Sequence, residues 1–597
     1  MNATERHKRE KHPLDVIEDV HEYAEEGLTF DEIEARAGDG EWERLKWAGM
    51  YAQKHRGYFM IRTKVPGGHL TPAQAEVIGE CAADYAVAPE EYGGADQNEL
   101  WGDAYLDVTT RQDVQTHWIR IEDVPELWER YDAVGLTTIQ GCGDSARNVL
   151  GCPAAGLDDH ECFDAQPVVE AVSDFFTNNR EYANLPRKFK LTITGCAHDC
   201  AQSQINDVGL VPAKKALGGV RASEASAGSS ERSSDGEYYY GFHARVGGGL
   251  SDGPRMGSEL DAFILPEHAV EFVRAVAQTF KELGDRHNRG LCRMRYLVEQ
   301  LGPETFEEAV RDRCTVDLPE AGENLTVGYK GDHVGVHDQS QDGLQYVGFN
   351  VIAGRMGGEE FAAAARAARE YGTEDASLRL ATDQNFLISH IPEENVEDLL
   401  TEPFAREYSP DPGPFSRGAV GCTGNEFCNY AIIETKKRTK RWARELDERI
   451  DVPDDVEVIR MHMSGCSASC AQPQIADIGF RGETVKLDSD EDGEREPRSG
   501  SEETSGLRPR VDDLVEGMDL GLGGSLGADN EFLDWVETAV PHHAVIPALE
   551  RLFDVYAEQR DDGEPFYAWC RRVDNGRLRE ITERADAPVS QGVARGD

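Results

Sequence analysis

The chain is written twice. Thr194–Leu210, TGCAHDCAQSQINDVGL, aligns without a gap to Ser464–Phe480, SGCSASCAQPQIADIGF, sharing both cysteines, the Ala-Gln that follows and an Asp-x-Gly near the end. Further pairs keep the same order. Val246–Leu250, VGGGL, answers Leu522–Leu526, LGGSL; Pro266 and Pro541 open related helical runs; Cys292-Arg293 answers Cys570-Arg571; Thr110-Arg111-Gln112 answers Thr382-Asp383-Gln384. An ordered series of this kind means duplication and fusion, so the chain must fold as two related halves rather than around one continuous core. Its 597 residues also exceed one core and imply roughly two to four domains.

Each half reads alike. A strand-like run, Tyr58–Val65 or Tyr346–Ile352, precedes an Ala-rich helix, Ala73–Tyr85 or Glu360–Tyr371, and then a second strand. A larger segment with the cysteines follows, and the expected architecture is mixed α/β. The last helix of the first half is expected near Glu267–Leu283, with Val270, Val273, Ala277 and Phe280 on one face and Gly284 as its stop. Ala222–Gly236 and Leu487–Gly506, rich in Ser, Asp and Glu, are expected to be loose, as is the tail after about Ala585.

Acidic residues number 112 against 62 basic ones, a net charge of −50. Such a surface repels nucleic-acid phosphates, so nucleic-acid binding is not expected. It holds water in concentrated salt, where like charges are screened, and fits a salt-rich cytoplasm. No run approaches the ~18–20 apolar residues of a membrane span, and Met1–Asp15 is charged without an apolar signal region. A cytoplasmic protein with no membrane partner is expected. An odd count of 13 cysteines in a long chain argues against a disulfide scaffold. VGGGL is weak as a phosphate loop, because its repeat copy marks it as structural.

Cys422 and Cys428 are separated by five residues, Cys466 and Cys470 by three. Four thiolates on two short loops suit a cubane iron–sulfur cluster. Sulfur ligands also suit zinc, but structural zinc loops place about two to four residues between paired cysteines. Gly421, Gly424, Gly465, Ser467 and Ala468 are small enough to let backbone N–H groups reach cluster sulfurs. On these residues alone, a siroheme-free electron carrier and a zinc-stabilised interaction protein remain open.

Gly421–Lys436, GCTGNEFCNYAIIETK, followed by SGCSASCAQPQIADIG, resembles the cluster signature of the ferredoxin-dependent siroheme nitrite and sulfite reductases, assimilatory and haloarchaeal-like. Arg44–Gln53, RLKWAGMYAQ, Tyr58–Arg62, Thr109–Trp118, TTRQDVQTHW, and Leu185–Lys190, LPRKFK, resemble the same family in the same order.

The resemblance implies an α/β (α+β) fold of two ferredoxin-like half-domains and two siroheme/[4Fe–4S]-binding domains. An N-terminal extension with the first half-domain would occupy residues 1–130, and the second half-domain 326–410. The α/β domains would occupy 131–325 and 411–585, with inserts at about 213–237 and 487–507 and a loose tail at 586–597. It implies a [4Fe–4S] cluster on Cys422, Cys428, Cys466 and Cys470, with Cys470 bridging to the siroheme iron. It makes Arg111 (at a strand end), Arg147, Lys188 and Lys190 (alternating on one strand face) the groups that bind substrate and relay protons. Tyr58 and Cys142 match positions that are covalently linked in some sulfite reductases of the family.

The implied activity is ferredoxin-dependent six-electron reduction of nitrite to ammonia, with sulfite to sulfide as the alternative. Lys190 matches sulfite reductases, whereas Ala431–Lys436 is closer to nitrite reductases. Lys436, Lys437, Arg438, Lys440, Arg441 and Arg444 form the densest basic run, expected to dock an acidic ferredoxin. Cys142, Cys152, Cys196 and Cys200 are expected to be a relic of the duplication. Cys81, Cys162, Cys292, Cys314 and Cys570 are expected to be buried small hydrophobes. A monomer is expected.

Overall fold

The computed structural model describes residues 2–94, 100–216, 218, 237–486 and 514–583. Ala222–Gly236, Leu487–Gly506 and the tail lie outside the described residues, whereas the first insert, placed from about 213, begins within the strand Val208–Ala216. The chain divides into two compact units, Met1–Pro412 with Leu526–Asn530, and Gly413–Ser525 with Glu531–Asp597.

In the first unit the duplication takes a reciprocal form. One antiparallel sheet runs Met50–Ala52, Phe59–Thr63, Val114–Ile119, Tyr105–Val108, and ends on Arg355–Gly357 from the other half. Its counterpart runs Gly335–Asp338, Leu344–Phe349, Phe386–Pro392, Leu378–Leu380, and ends on His69–Leu70 from the first half. Each ferredoxin-like half-domain thus lends the other an edge strand, and neither leaves that edge unpaired.

The exchange is built on repeated residues. Gly68 (φ +76°) lies so close to Leu380 that a Cβ would stand 2.2 Å from its carbonyl oxygen; Gly354 (φ +73°) lies equally close to Val108, at 2.4 Å. Only glycine fits such an approach at positive φ. Gln112 Nε2 donates to Leu380 O at 2.7 Å and Gln384 Nε2 to Val108 O at 2.9 Å. The repeated tripeptides therefore mark the exchange points. A buried pair reinforces them: Arg355 donates to both carboxylate oxygens of Asp107, at 2.6 and 3.1 Å, and lies over the Tyr105 ring.

The Ala-rich helices run Pro72–Tyr85 and Gly358–Tyr371. The first starts one residue before the sequence pattern, because Thr71 and Gln74 form a capping box and proline is at home at the first helical position. Short helices Ala3–Glu10, Val16–Glu26 and Phe30–Ala37 precede the repeats. The first is tied down by Lys8, buried, which donates to Leu185 O at 2.8 Å and pairs with Glu5 and Asp144.

The third sheet of this unit places Ala146–Leu150, Phe189–Ile193 and Val208–Ala216 in parallel, then adds Tyr238–Val246 and Ser258–Ile264 antiparallel. Gln166–Phe176 is the crossover helix between its first two strands. Ala269–Leu283 buries Phe272, Val273, Val276, Ala277 and Phe280, while Val270 is half-buried, outside the expected stripe. Gly284 leaves that helix in an extended conformation (φ −66°, ψ 144°) rather than through a left-handed cap.

The second unit repeats this sheet with the same order and sense. Ala419–Gly421, Met461–Ser464 and Ile478–Lys486 are parallel; Leu514–Leu522 and Asp534–Pro541 follow antiparallel. Lys436–Arg449 is its crossover helix. The registers match as well: Val149 pairs with Leu191 and Leu191 with Val208, as Ala419 pairs with Met461 and Met461 with Ile478. Both units end the first parallel strand shortly before a cysteine, Cys152 or Cys422, and the second before a pair, Cys196/Cys200 or Cys466/Cys470.

Candidate functional site

The first unit gathers the four expected basic residues. Arg111 lies in the tight turn between Tyr105–Val108 and Val114–Ile119, not at a strand end. The turn is closed by Gln112 N–H to Thr109 O at 3.0 Å and holds Gln112 at φ +54°. From it the Arg111 guanidinium donates to Asn206 Oδ1 at 2.8 Å and Asn148 O at 2.5 Å, while its Nε is buried without a hydrogen-bond partner. Burial draws Arg111 down to about 10 against the pull of Asp113, and Arg147 adds to the lowering.

Arg147 sits on Ala146–Leu150, its guanidinium held by Gly143 O and Gly141 O at 2.9 and 3.2 Å. Lys190 lies on Phe189–Ile193, with Lys188 one residue ahead of it. Burial, then Arg111, Lys188 and Arg293, hold Lys190 well below the usual lysine range. With Arg147 acting on Arg111, and Arg111 and Lys188 on Lys190, the four make a strongly positive site in an otherwise acidic chain.

Sequence reasoning missed part of this group. Arg62, on Phe59–Thr63, lies within electrostatic reach of Arg111 and Asp113. Arg293 donates to both oxygens of Asp207, which also accepts the Lys190 backbone N–H at 2.9 Å. Asp207 is the aspartate of the repeated Asp-x-Gly, and Arg293 follows the repeated Cys292; the repeat carried the signal for both.

The expected pairing of Tyr58 with Cys142 is corrected by the local geometry. Tyr58 packs edge-on to Tyr92 and Trp118, at 6.0 and 5.6 Å between ring centres. The tyrosine within electrostatic reach of Cys142 is Tyr51, whose hydroxyl is raised by burial and then by that thiol. Tyr51 lies opposite Met60 in the antiparallel pair, so the two tyrosines occupy different places along it.

In the second unit, Cys422, Cys428 and Cys466 are half-buried and Cys470 is exposed. Burial and the neighbouring Cys470 push the Cys422 thiol up to about 12, against N–H groups from Gly465 and Gly424. Gly465 N–H donates to Cys422 Sγ at 3.1 Å and Tyr430 N–H to Cys428 Sγ at 3.4 Å. Thr435 Oγ1 donates to Cys422 O at 2.6 Å and fixes the loop. The donor set fits a thiolate-ligated cluster, with backbone N–H groups already turned to the sulfurs. In the first unit, the buried Arg111 Nε offers a free donor for an anionic group.

The basic run on Lys436–Arg449 differs from the expected open patch. Lys436 and Lys440 are buried, Lys437 and Arg438 half-buried, and Arg438 is taken by Glu516; Arg441 and Arg444 are exposed. The helix buries the face that also carries Thr439, Trp442, Ala443 and Leu446, so a continuous charge run is divided by helical geometry. Among the solitary cysteines, Cys81, Cys292 and Cys570 are buried as expected, whereas Cys162 and Cys314 are half-buried.

A twice-built α/β protein, with four cysteines on two loops of one repeat and a group of cations in the other, carries the donor types of an iron–sulfur site and of an anion site. The "Nitrite and sulphite reductase 4Fe-4S domain" matches residues 142–318 and 413–587, and the "Nitrite/Sulfite reductase ferredoxin-like half domain" matches 51–134 and 337–404. The chain is 36% identical over 570 residues to the assimilatory ferredoxin-dependent nitrite reductase of Haloferax mediterranei, covering 93% of this chain and 89% of that protein. It is 35% identical over 560 residues to the ferredoxin–nitrite reductase of Synechococcus elongatus, covering 92% and 96%. The solved structure of the Mycobacterium tuberculosis NirA protein superposes with a TM-score of 0.81 at 29% identity, covering 97% of each chain. The chain belongs to the nitrite and sulfite reductase family.

Proposed function

We propose that this chain is an assimilatory enzyme that reduces nitrite to ammonia with electrons from reduced ferredoxin, using siroheme and a [4Fe–4S] cluster. The observation that carries this reading is the likeness to ferredoxin-dependent nitrite reductases over more than nine-tenths of the chain, together with the clustered cations Arg111, Arg147, Lys188 and Lys190. Lysine at 190 accompanies nitrite chemistry here, and sulfite is the disfavoured substrate.

Cys422, Cys428, Cys466 and Cys470 would hold the cluster, and Cys470 would also serve the siroheme. When bound, these groups supply electrons one at a time and an iron that takes the substrate. The arginines act on charge: their planar forks bind nitrite and cofactor carboxylates. Lys190, whose ammonium is destabilised by its neighbours, gives up a proton readily and serves as the proton donor; Lys188 replenishes it. Asp207 holds the strand at Lys190 in place through the backbone bond at 2.9 Å.

Ferredoxin docks near Arg441 and Arg444, exposed cations one helical turn apart on Lys436–Arg449. No helix among the described residues is long and apolar enough to cross a membrane; the enzyme works as a monomer in the cytoplasm, in nitrate assimilation. Its four parts divide near residues 130, 325 and 410. The test is stoichiometry: nitrite supplied to cofactor-replete enzyme with excess reduced ferredoxin should give ammonium in equal amount and oxidise about six ferredoxins per nitrite. Nitrite consumption without ammonium would overturn the reading.

A further inference from the structure

The first unit contains three cysteines that nitrite reduction does not use. Cys152, Cys196 and Cys200 are all buried, and their sulfurs lie within 4.8 Å of one another. They hold the places in their sheet that Cys422, Cys466 and Cys470 hold in the other repeat, and the same numerical offset relates each pair. The duplication therefore kept three of four cysteine positions. Asp158 stands where the second repeat has Cys428, and its carboxylate is already engaged by His160.

Spacing separates this group from a cubane site. A cubane spreads its thiolates over four irons. Thiolates sharing one tetrahedral ion, with metal–sulfur bonds of about 2.3 Å, stand about 3.8 Å apart. Three sulfurs within 4.8 Å suit the single ion. The surroundings are also prepared: His198 N–H donates to Cys196 Sγ at 3.5 Å, and the buried Arg379 lies within electrostatic reach of Cys152, offsetting the negative charge of a thiolate site.

A fourth ligand is at hand. His333 is 3% exposed; its Nδ1 meets Tyr346 OH at 3.3 Å, and its Nε2 is buried without a hydrogen-bond partner. The ring lies within electrostatic reach of Cys196, and Tyr346 within reach of all three cysteines. An imidazole fixed at one nitrogen by a hydrogen bond and open at the other is the usual form of a metal-binding histidine. His333 stands outside the 4.8 Å group, so ligation draws its ring inward.

We propose that Cys152, Cys196 and Cys200 bind one zinc ion as thiolates, with His333 as the fourth ligand. Binding releases to solvent the protons that the thiols still carry and transfers no electron. The ion is structural. It pins the loops that follow Ala146–Leu150 and Phe189–Ile193 to the segment entering Gly335–Asp338, and so joins the first repeat's α/β domain to the second ferredoxin-like half-domain.

The test is the metal content and zinc K-edge absorption of the holoenzyme after dialysis against EDTA. One zinc per chain is expected, with a first shell of three sulfurs near 2.3 Å and one nitrogen. A Cys152→Ser/Cys196→Ser double variant should lose the zinc while keeping the siroheme absorption and the cluster's EPR signal; Cys428→Ser should keep the zinc. Absence of zinc, zinc retained in the double variant, a shell without sulfur, or an extra iron in place of zinc would each overturn the proposal. Should the double variant fail to fold, the wild-type absorption edge decides alone.

Discussion

The backbone N–H of Lys190 donates to Asp207 Oδ2 at 2.9 Å. The second repeat makes the same bond between Arg460 and Asp477, at 2.8 Å. The duplication preserved the backbone frame and changed what hangs on it. In the first repeat the aspartate also holds Arg293 and sits among the cations around Lys190. In the second, the same strand leads to the cysteines of the proposed cluster.

Lys190 trades stability for turnover. Its folded-state pKa is lowered by burial and by Arg111 and Lys188, so its protonated form is a cost to the fold. That cost is greatest at low pH and fades as pH rises through the lowered value towards the unfolded one, about 10.4. Lys190→Met should therefore raise the melting temperature at neutral pH and lower kcat/KM for nitrite about 100-fold. The fall of wild-type turnover with rising pH should be absent from the variant's pH profile.

Arg111 cannot be exchanged for lysine. Its fork spans Asn206 Oδ1 and Asn148 O, and a point charge on a flexible stem cannot hold both. Arg111→Lys should raise KM for nitrite about tenfold; Arg111→Ala should also destabilise the fold by about 1–3 kcal/mol, because it leaves buried acceptors without donors. Nitrite titration and urea unfolding separate the two effects.

The cluster loop tolerates no bulk at Gly465. A Cβ there would stand 2.8 Å from Ala431 Cβ, and the N–H that reaches Cys422 Sγ would be displaced. Gly465→Val should lower cluster occupancy, and Cys466→Ser should abolish it, both read from iron content and low-temperature EPR of the reduced enzyme.

The exchanged strands depend on Asp107 and Arg355. Both are buried, and removal of one takes away the other's ion-pair partner. Asp107→Ala should cost about 3–5 kcal/mol in urea unfolding, whereas replacing both with apolar residues should cost less.

Ferredoxin recognition should be sensitive to charge on the exposed face of the basic helix. Arg441→Glu with Arg444→Glu should raise KM for ferredoxin, and leave turnover with a small artificial reductant unchanged. Raising salt should weaken the wild-type KM while stabilising the fold, since the −50 charge repels itself when unscreened.

Much of this was legible in the residues. The repeated motifs foretold two sheets of one design, and the Ala-rich helices were placed to within two residues at either end. The strand exchange was not legible, because it depends on which half supplies an edge, and both His69–Leu70 and Arg355–Gly357 are too short to show a pattern. The basic helix misled because charge counted along the chain ignores the turn of the helix, which buries Lys436 and Lys440. Tyr51 was overlooked in favour of Tyr58 because two tyrosines flank one hairpin and only its register shows which lies near Cys142. Cys142 stood with Cys152, Cys196 and Cys200 as one relic, whereas the sheet registers match only the last three to Cys422, Cys466 and Cys470.

The central claim, ferredoxin-dependent reduction of nitrite at a siroheme site, is tested most directly by kcat/KM for nitrite and for sulfite. One cofactor-replete preparation in high salt, with reduced ferredoxin as donor, serves for both. A preference for nitrite of at least about 100-fold is expected, or roughly 2.7 kcal/mol in transition-state stabilisation. A preference for sulfite, or turnover of neither by enzyme that carries siroheme, would contradict it.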